Sequence, residues 1–177
     1  RYRLDIIEET MRHSAEVAFY AYKIARHFKI KEYQDSIYAG ALLHDIGKIM
    51  VNALNPELLE KIKKICREKG IAQDMIENLT SGYNHSIIGG RLAEKWNFPE
   101  ALKEIIRYHH VPSEAKEAYI QAASAVYLAD AFYYCRRELA RYSDLNFQIR
   151  KIFSLSKESF QQLFLKVVKS FERKFEE

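Results

Sequence analysis

The stretch AGALLHDIGK, residues 39–48, places a histidine and an aspartate, His44 and Asp45, at the end of an apolar run. A second aspartate, Asp130, lies inside another apolar stretch, SAVYLADAFYY at 124–134, with no lysine or arginine within four residues. An ionised carboxylate in such surroundings costs several kcal/mol unless it is paired or bound to a metal. Two interpretations stay open for Asp130: it caps or pairs with a distant element, or it binds a metal.

The composition predicts that these residues lie in a helical domain. The chain has 177 residues, of which 48% are hydrophobic and 29% charged, which suits one domain with its own core and excludes disorder. It contains 6 glycines and 3 prolines, whereas a sandwich or barrel needs a turn about every 8–12 residues. We therefore predict an all-α fold, a single-domain helical bundle.

Glycines, prolines and apolar periodicity divide the chain into predicted helices. Asp35 is a plausible N-cap, Pro56 a helix start, and Gly47 and Gly70 are expected helix stops. The expected helices are 2–28, 35–47, 56–70, 71–79, 85–96, 99–110, 114–138, 146–153 and 157–175, with a turn at 81–82.

The last helix carries an apolar stripe that leaves two interpretations open. The stripe, at i, i+3, i+4 and i+7 spacing, consists of Phe160, Leu163, Phe164, Val167, Val168, Phe171 and Phe175. It packs on the domain's own core, or it forms the seam of a homodimer or of a contact with another domain. We treat residues 1–140 as the core and 141–177 as a C-terminal helical extension rather than an independent domain.

Charge and cysteine usage indicate a cytoplasmic protein. The formal net charge of +4 does not predict a surface for duplex nucleic acid, although it permits a phosphate-bearing ligand. Cys66 and Cys135 form no CxxC pair, which is typical of a reducing compartment. We find no signal peptide, and polar residues within 118–135 argue against a membrane span. Because the chain begins with Arg1 rather than Met, we expect it to be part of a longer protein.

Several histidines and carboxylates form a candidate metal site. Glu9 precedes His13 by one helical turn, and His85 opens a predicted helix. Rings at adjacent helical positions diverge by about 100°, so His109 and His110 suit two neighbouring ions better than one. The full candidate set is Glu9, His13, His44, Asp45, His85, His109, His110 and Asp130.

These ligands predict which metals bind and how. The set contains imidazoles and carboxylates without thiolates, which favours iron or manganese, with zinc as an alternative. Asp45 is placed to bridge two ions about 3.5–4 Å apart. We expect the carboxylates of Asp45 and Asp130 to lie within about 8 Å of each other, since a shared metal centre requires it.

The order H…HD…H…HH…D resembles the HD superfamily of metal-dependent phosphohydrolases. It is carried by His13, LLHDIGK (42–48), HSIIG (85–89), YHH (108–110) and LAD (128–130). HDIGK resembles the HD-GYP phosphodiesterases, although HHVPSEAKEAY (109–119) lacks their GYP loop. RHSAEVA (12–18), AGALLHDIGK, GGRLAEKWNFPEALKEIIRYHH (89–110) and VYLAD (126–130) resemble HDOD domains of bacterial signalling proteins.

The resemblance implies a bundle of the HD-domain type that hydrolyses a phosphate ester, a nucleotide or cyclic (di)nucleotide, in bacterial signalling. His13, His44 and Asp130 would hold one ion and His85, His109 and His110 a second, with Asp45 between them and Glu9 completing the first or holding a third. Asp45 and Lys48 are the expected catalytic residues, and Lys48, Arg107 and Tyr108 the expected substrate contacts. The alternative is a non-catalytic HDOD-type signalling or scaffold module that binds metal and a protein partner.

Overall fold

The computed structural model describes residues 2–54, 56–69 and 84–175, and within those ranges it is built of helices without a strand. The prediction of an all-α bundle is therefore confirmed. The predicted helix 71–79 and the turn at 81–82 lie outside the described residues. The α-helices are α1 (Tyr2–His27), α2 (Gln34–Leu43), α3 (Ile46–Leu54), α4 (Pro56–Lys69), α5 (His85–Lys95), α6 (Glu100–Tyr108), α7 (Ile120–Arg136), α8 (Phe147–Ile152) and α9 (Lys157–Phe175).

Helices α1 and α7 form the centre of the bundle. α1 packs along α2 and α7, while α6 lies against α2 and α7, and α5 joins α6 to α3. One face of α1 lies in the core: Val17, Ala18, Ala21, Ile24 and Ala25 are fully buried. Small residues on both α1 and α7 let the two helices approach closely, which brings polar side chains on their facing surfaces together.

The helix predicted to run to Gly47 ends earlier. α2 ends at Leu43 and α3 begins at Ile46, so His44 and Asp45 lie in the break between two helices. Gly47 lies inside α3 and is not a helix stop. A Cβ on Gly47 would come within 1.9 Å of the His85 carbonyl oxygen. Glycine is therefore needed there because the backbones of α3 and α5 touch.

The predicted helix 114–138 is also shorter than expected. α7 begins at Ile120 and is preceded by two 3-10 turns, Pro112–Glu114 and Glu117–Tyr119. Lys116 between them is extended, and its backbone N–H donates to the Glu104 carboxylate at 2.8 Å. The buried Glu104 carboxylate thus accepts the backbone hydrogen bond of Lys116, which a continuous helix would direct to a backbone carbonyl.

The C-terminal helix packs on the rest of the domain. Its buried residues Phe160, Leu163, Val167 and Val168 join the core, and Phe160 meets Phe132 edge to face. The division at residue 140 and a partner for this helix stay predictions. No helix in the described part of the chain is long and apolar enough to cross a membrane.

Candidate metal centre

All the predicted ligands except Glu9 converge at one place in the bundle, which we call the histidine cluster. His44 and Asp45 lie in the α2–α3 break, and His85 is the first residue of α5. Most members are buried, and Asp130 and His110 are the more exposed ones. The histidine cluster consists of His13 from α1, His44, Asp45, His85, His109 and His110 after α6, and Asp130 from α7.

Asp45 lies at the centre of the cluster, and its two oxygens face different histidines. Oδ2 is 3.3 Å from His13 Nε2 and 3.4 Å from His44 Nε2. Oδ1 is 3.3 Å from His85 Nε2 and 4.0 Å from His109 Nε2. One carboxylate therefore joins two groups of imidazoles.

The spacing within each group suits coordination of one ion. His13 Nε2 is 3.1 Å from His44 Nε2 and 3.3 Å from Asp130 Oδ1. Two atoms that each lie about 2.0–2.2 Å from one metal are themselves about 3–3.5 Å apart. Because Asp45 and Asp130 each lie 3.3 Å from the same nitrogen of His13, they meet the distance condition set from the sequence.

The cluster contains three sets of three residues, and within each set the ligand atoms lie within 4.8 Å of one another. In the second group, His110 Nε2 is 2.8 Å from His85 Nε2. The donor chemistry of each set suits a divalent transition metal. The sets are His13, His44 and Asp130; His85, His109 and His110; and His44, Asp45 and His109.

Helix ends orient two of the imidazoles. His44 Nδ1 donates to the Ala41 carbonyl at 2.7 Å, and His109 Nδ1 donates to the Ile106 carbonyl at 2.8 Å. A carbonyl only accepts, so these bonds assign the hydrogen to Nδ1 and leave the Nε2 lone pair facing the cluster. Sequence reasoning missed these carbonyls, although a histidine directly after an apolar helix end was the available signal.

Several buried polar atoms of the cluster have no hydrogen-bond partner among the described residues: Asp45 Oδ1, His109 Nε2 and Asp130 Oδ1. Each such atom costs about 1–3 kcal/mol if nothing binds it. Protein groups leave these atoms open on the inner side of the cluster, where the ligand atoms converge. The residues present therefore fit a bound metal.

Burial and charge set the protonation states that metal ligands require. Burial lowers the pKa values of His44, His109 and His110, so their imidazoles are neutral. Burial alone would raise the pKa of Asp45, but the Lys48 ammonium and a hydrogen bond from His13 outweigh burial and hold that pKa well below its usual range. Asp45 is therefore an ionised carboxylate.

Lys48 contacts the centre of the cluster directly. Its Nζ donates to Asp45 Oδ2 at 2.7 Å, and its side chain is 15% exposed. Burial opposes its charge, but the Asp45 carboxylate raises the pKa of Lys48 above its ordinary value. Lys48 is thus a permanent cation beside the ligands, and its expected contact with a phosphate stays a prediction.

Sequence reasoning missed a residue that holds His13. The Tyr133 ring meets the His13 ring edge to face with centroids 4.2 Å apart. The guanidinium of Arg137 lies over the same Tyr133 ring, 3.5 Å from its centroid. The FYY run at 132–134 was a signal, but aromatic residues in a helix are more often core residues.

A second buried polar cluster, which we call the Glu16 cluster, lies one turn from His13. It consists of Glu16, Tyr20, Arg136 and Arg137. Glu16 is 5% exposed and accepts from Tyr20 Oη at 2.6 Å and from Arg136 Nη1 at 3.1 Å. Arg137 donates to both oxygens of Glu16, at 3.2 Å and 3.0 Å. These bonds lower the pKa of Glu16 even though burial alone would raise it.

Other expected site residues lie apart from the cluster. Glu9 is exposed on α1 and belongs to none of the ligand sets among the described residues. Arg107 pairs with Glu94 at 2.8 Å, between α6 and α5. Tyr108 is half-buried at the end of α6. Their predicted contacts with a third metal or a substrate stay predictions.

Comparison with known proteins connects this geometry to a family. The family model of the HDOD domain matches residues 2–112, more than half of the chain. The match includes the histidines of the cluster but ends before Asp130. An uncharacterized protein from Treponema pallidum (strain Nichols) is 34% identical over 93 residues, which are 52% of this chain and 18% of that protein.

Solved structures share the fold. A "Putative phosphohydrolase" from Shewanella amazonensis is 22% identical with a TM-score of 0.70, over 91% of this chain and 59% of that one. An HDOD domain protein with unknown function from Geobacter sulfurreducens is 21% identical with a TM-score of 0.66, over 89% and 61%. A "Putative signal transduction protein" from Marinobacter aquaeolei has a TM-score of 0.71 at 18% identity, over 89% and 36%. The chain thus spans less than two thirds of each relative.

Proposed function

The chain belongs to the HDOD domain family, and we propose that it is a metal-dependent phosphohydrolase that acts on a nucleotide or cyclic (di)nucleotide in bacterial signalling. One observation carries this proposal. Asp45 presents its two oxygens to two groups of histidines, and ligand atoms in both groups lack partners among the described residues. A purely structural polar cluster would have these atoms paired within the protein.

Two divalent ions, iron or manganese, fit this arrangement. His13, His44 and Asp130 would hold one ion, His85, His109 and His110 the other, and Asp45 would contact both. Bound ions of this kind supply Lewis-acid activation of water and of a phosphoryl oxygen. The Nδ1 bonds of His44 and His109 keep their Nε2 lone pairs free for this purpose.

The protein's own residues would direct the substrate to the more exposed side of the cluster. The Asp130 side chain is 15% exposed, whereas those of His85 and Asp45 are 0% and 2% exposed. A phosphate ester would therefore approach from the side of Asp130 and His110. Lys48, held by Asp45, would place a positive charge near the anionic substrate and stabilise charge that develops on it.

The experiment combines elemental analysis with hydrolysis of bis-(p-nitrophenyl) phosphate. We expect the purified protein to carry about two transition-metal ions per chain and to hydrolyse this diester. Asp45→Ala should abolish turnover, by a factor above about 10³, while circular dichroism keeps its helical signal. Asp35→Ala, which removes an exposed carboxylate of α2, is the matched control and should behave as the unmodified protein.

The alternative function is a signalling module that binds metal without turnover. One observation favours it: Lys48 already donates to Asp45 Oδ2, so one oxygen of the central carboxylate has a partner within the protein. Metal binding without hydrolysis would support this module. A protein that binds no metal would contradict both functions.

A further inference from the structure

A solvent-open cavity away from the histidine cluster has an unusual lining, and most of its basic side chains are exposed. It lies between the C-terminal part of α1 and α9 and has a volume of about 350 Å³. Lys23, Arg26 and His27 line it from α1, and Lys166 and Arg173 from α9. We call it the basic cavity, because none of its described lining residues is acidic.

The basic cavity is distinct from the candidate metal centre. Lys23 follows His13 by ten residues on the same helix, which is about 15 Å along the helix axis. The floor is formed by Leu163 and Val167, which belong to the hydrophobic core. A ligand in this cavity would therefore contact none of the proposed metal ligands.

The positive groups of the cavity lack negative partners. In the described ranges no carboxylate forms an ion pair with Lys23, Arg26, Lys166 or Arg173. Lys23 instead lies 5.1 Å from the centroid of the Phe19 ring, and Arg26 lies 5.9 Å from that of Tyr22. Burial and the charge of Lys166 lower the pKa of His27, as expected where cations gather.

Helix termini explain only part of this charge. Arg26 and His27 lie in the last turn of α1 and Arg173 in the last turn of α9, where basic residues stabilise the helix dipole. Lys23 and Lys166 lie outside those turns, so the dipole gives no reason for their position. Placing them beside the other cations costs repulsion that a bound anion would remove.

We propose that the basic cavity binds a small molecule that carries two or more phosphate groups. Arginine and lysine are the residues that bind phosphate, arginine through its planar fork and lysine as a point charge. The Ser170 hydroxyl in the lining adds a neutral donor. The volume is at the lower end of the range for small-molecule sites, about 300–1,000 Å³, which suits an oligophosphate.

The test is calorimetric titration of the whole chain with inorganic tripolyphosphate after removal of metals with EDTA. Removing metal takes away the main positive charge proposed for the histidine cluster, and the variants below assign the remaining binding to the basic cavity. We expect saturable binding of one tripolyphosphate per chain. Lys23→Gln with Lys166→Gln should weaken binding about tenfold or more, whereas Asp45→Asn should not weaken it.

Matched controls separate a site from diffuse attraction. Lys151→Gln with Lys157→Gln removes the same charge from exposed positions outside the cavity and should change the dissociation constant less than about twofold. Equal weakening by both double variants, or the absence of saturable binding, would overturn the proposal. Lys166→Gln alone should give an intermediate affinity, and unchanged melting of the variants excludes unfolding. Asp45 takes no part in the binding of tripolyphosphate at the basic cavity. A negative result in this titration therefore does not bear on the proposed hydrolase activity.

Discussion

The Glu16 cluster and the histidine cluster both draw side chains from α1 and α7, but their polar atoms are used differently. Glu16 is buried, and both of its oxygens accept hydrogen bonds from Tyr20, Arg136 or Arg137. In the histidine cluster, Asp45 Oδ1 and Asp130 Oδ1 are equally enclosed but have no hydrogen-bond partner among the described residues. The two clusters lie within one helical turn of each other along α1.

This difference separates a structural polar cluster from a candidate binding centre. Buried charges that only stabilise a fold are matched by protein donors, since an unmatched group costs free energy. Open ligand atoms in the neighbouring histidine cluster are what we expect where another species binds. The contrast yields three predictions about single substitutions.

The largest effect is expected for Glu16→Ala. It leaves Arg136, Arg137 and the Tyr20 hydroxyl without their shared acceptor, so the free energy of unfolding should fall by about 3 kcal/mol. Chemical denaturation of the metal-free protein measures it. Glu8→Ala, an exposed glutamate on the same helix, should cost less than about 0.5 kcal/mol. Equal losses in both variants would contradict a structural role for the Glu16 cluster.

A smaller effect is expected for Tyr133→Leu. Tyr133 contacts a member of each cluster, His13 and Arg137. Without the ring that contacts both Arg137 and His13, metal affinity should fall about tenfold, as for other residues that orient a ligand. Competition with a chelating dye measures this affinity. Tyr133→Phe keeps both ring contacts and should stay within about twofold. Tyr38→Leu removes an exposed tyrosine and serves as the control. An unchanged metal affinity in Tyr133→Leu would show that Tyr133 does not position His13.

The smallest effect, of opposite sign, is expected for His109→Leu. His109 is 1% exposed and its Nε2 has no hydrogen-bond partner within the described chain. Replacing it with an apolar side chain should leave the metal-free protein equally stable or more stable by about 1 kcal/mol, because the unpaired Nε2 costs more than the lost Nδ1 bond to the Ile106 carbonyl contributes. The same denaturation experiment checks this change. A clear loss of stability would mean that the histidine cluster is as structural as the Glu16 cluster.

His44, Asp45 and Asp130 stood out in the sequence as polar side chains in apolar surroundings, whereas the other histidines stood out by their places at helix ends or one turn from Glu9. How His13, His44, Asp45 and Asp130 group was implied by the resemblance of their order to the HD superfamily, and the structure brings them together. The break at His44 and Asp45 was not predictable from propensity, because the apolar pattern continues through it. It arises from tertiary contact with α5.

The Glu16 cluster was not predictable for a different reason. Its partners Arg136 and Arg137 are about 120 residues away along the chain, so no local pattern joins them to Glu16. Lys116 is a nearer case: its backbone bond to Glu104, 12 residues earlier, accompanies a start of α7 that is later than the predicted residue 114. In both cases a side chain from another element takes part in the local structure.

Gly47 gives the site a requirement that no ligand reveals. A Cβ on Gly47 would clash with the His85 carbonyl and push α3 away from α5. Because Asp45 directly precedes α3 and His85 begins α5, this shift would also move Asp45 away from His85. The geometry of the centre is thus encoded partly by a missing carbon atom. A side chain at position 47 would therefore disturb the site without changing any of its ligands.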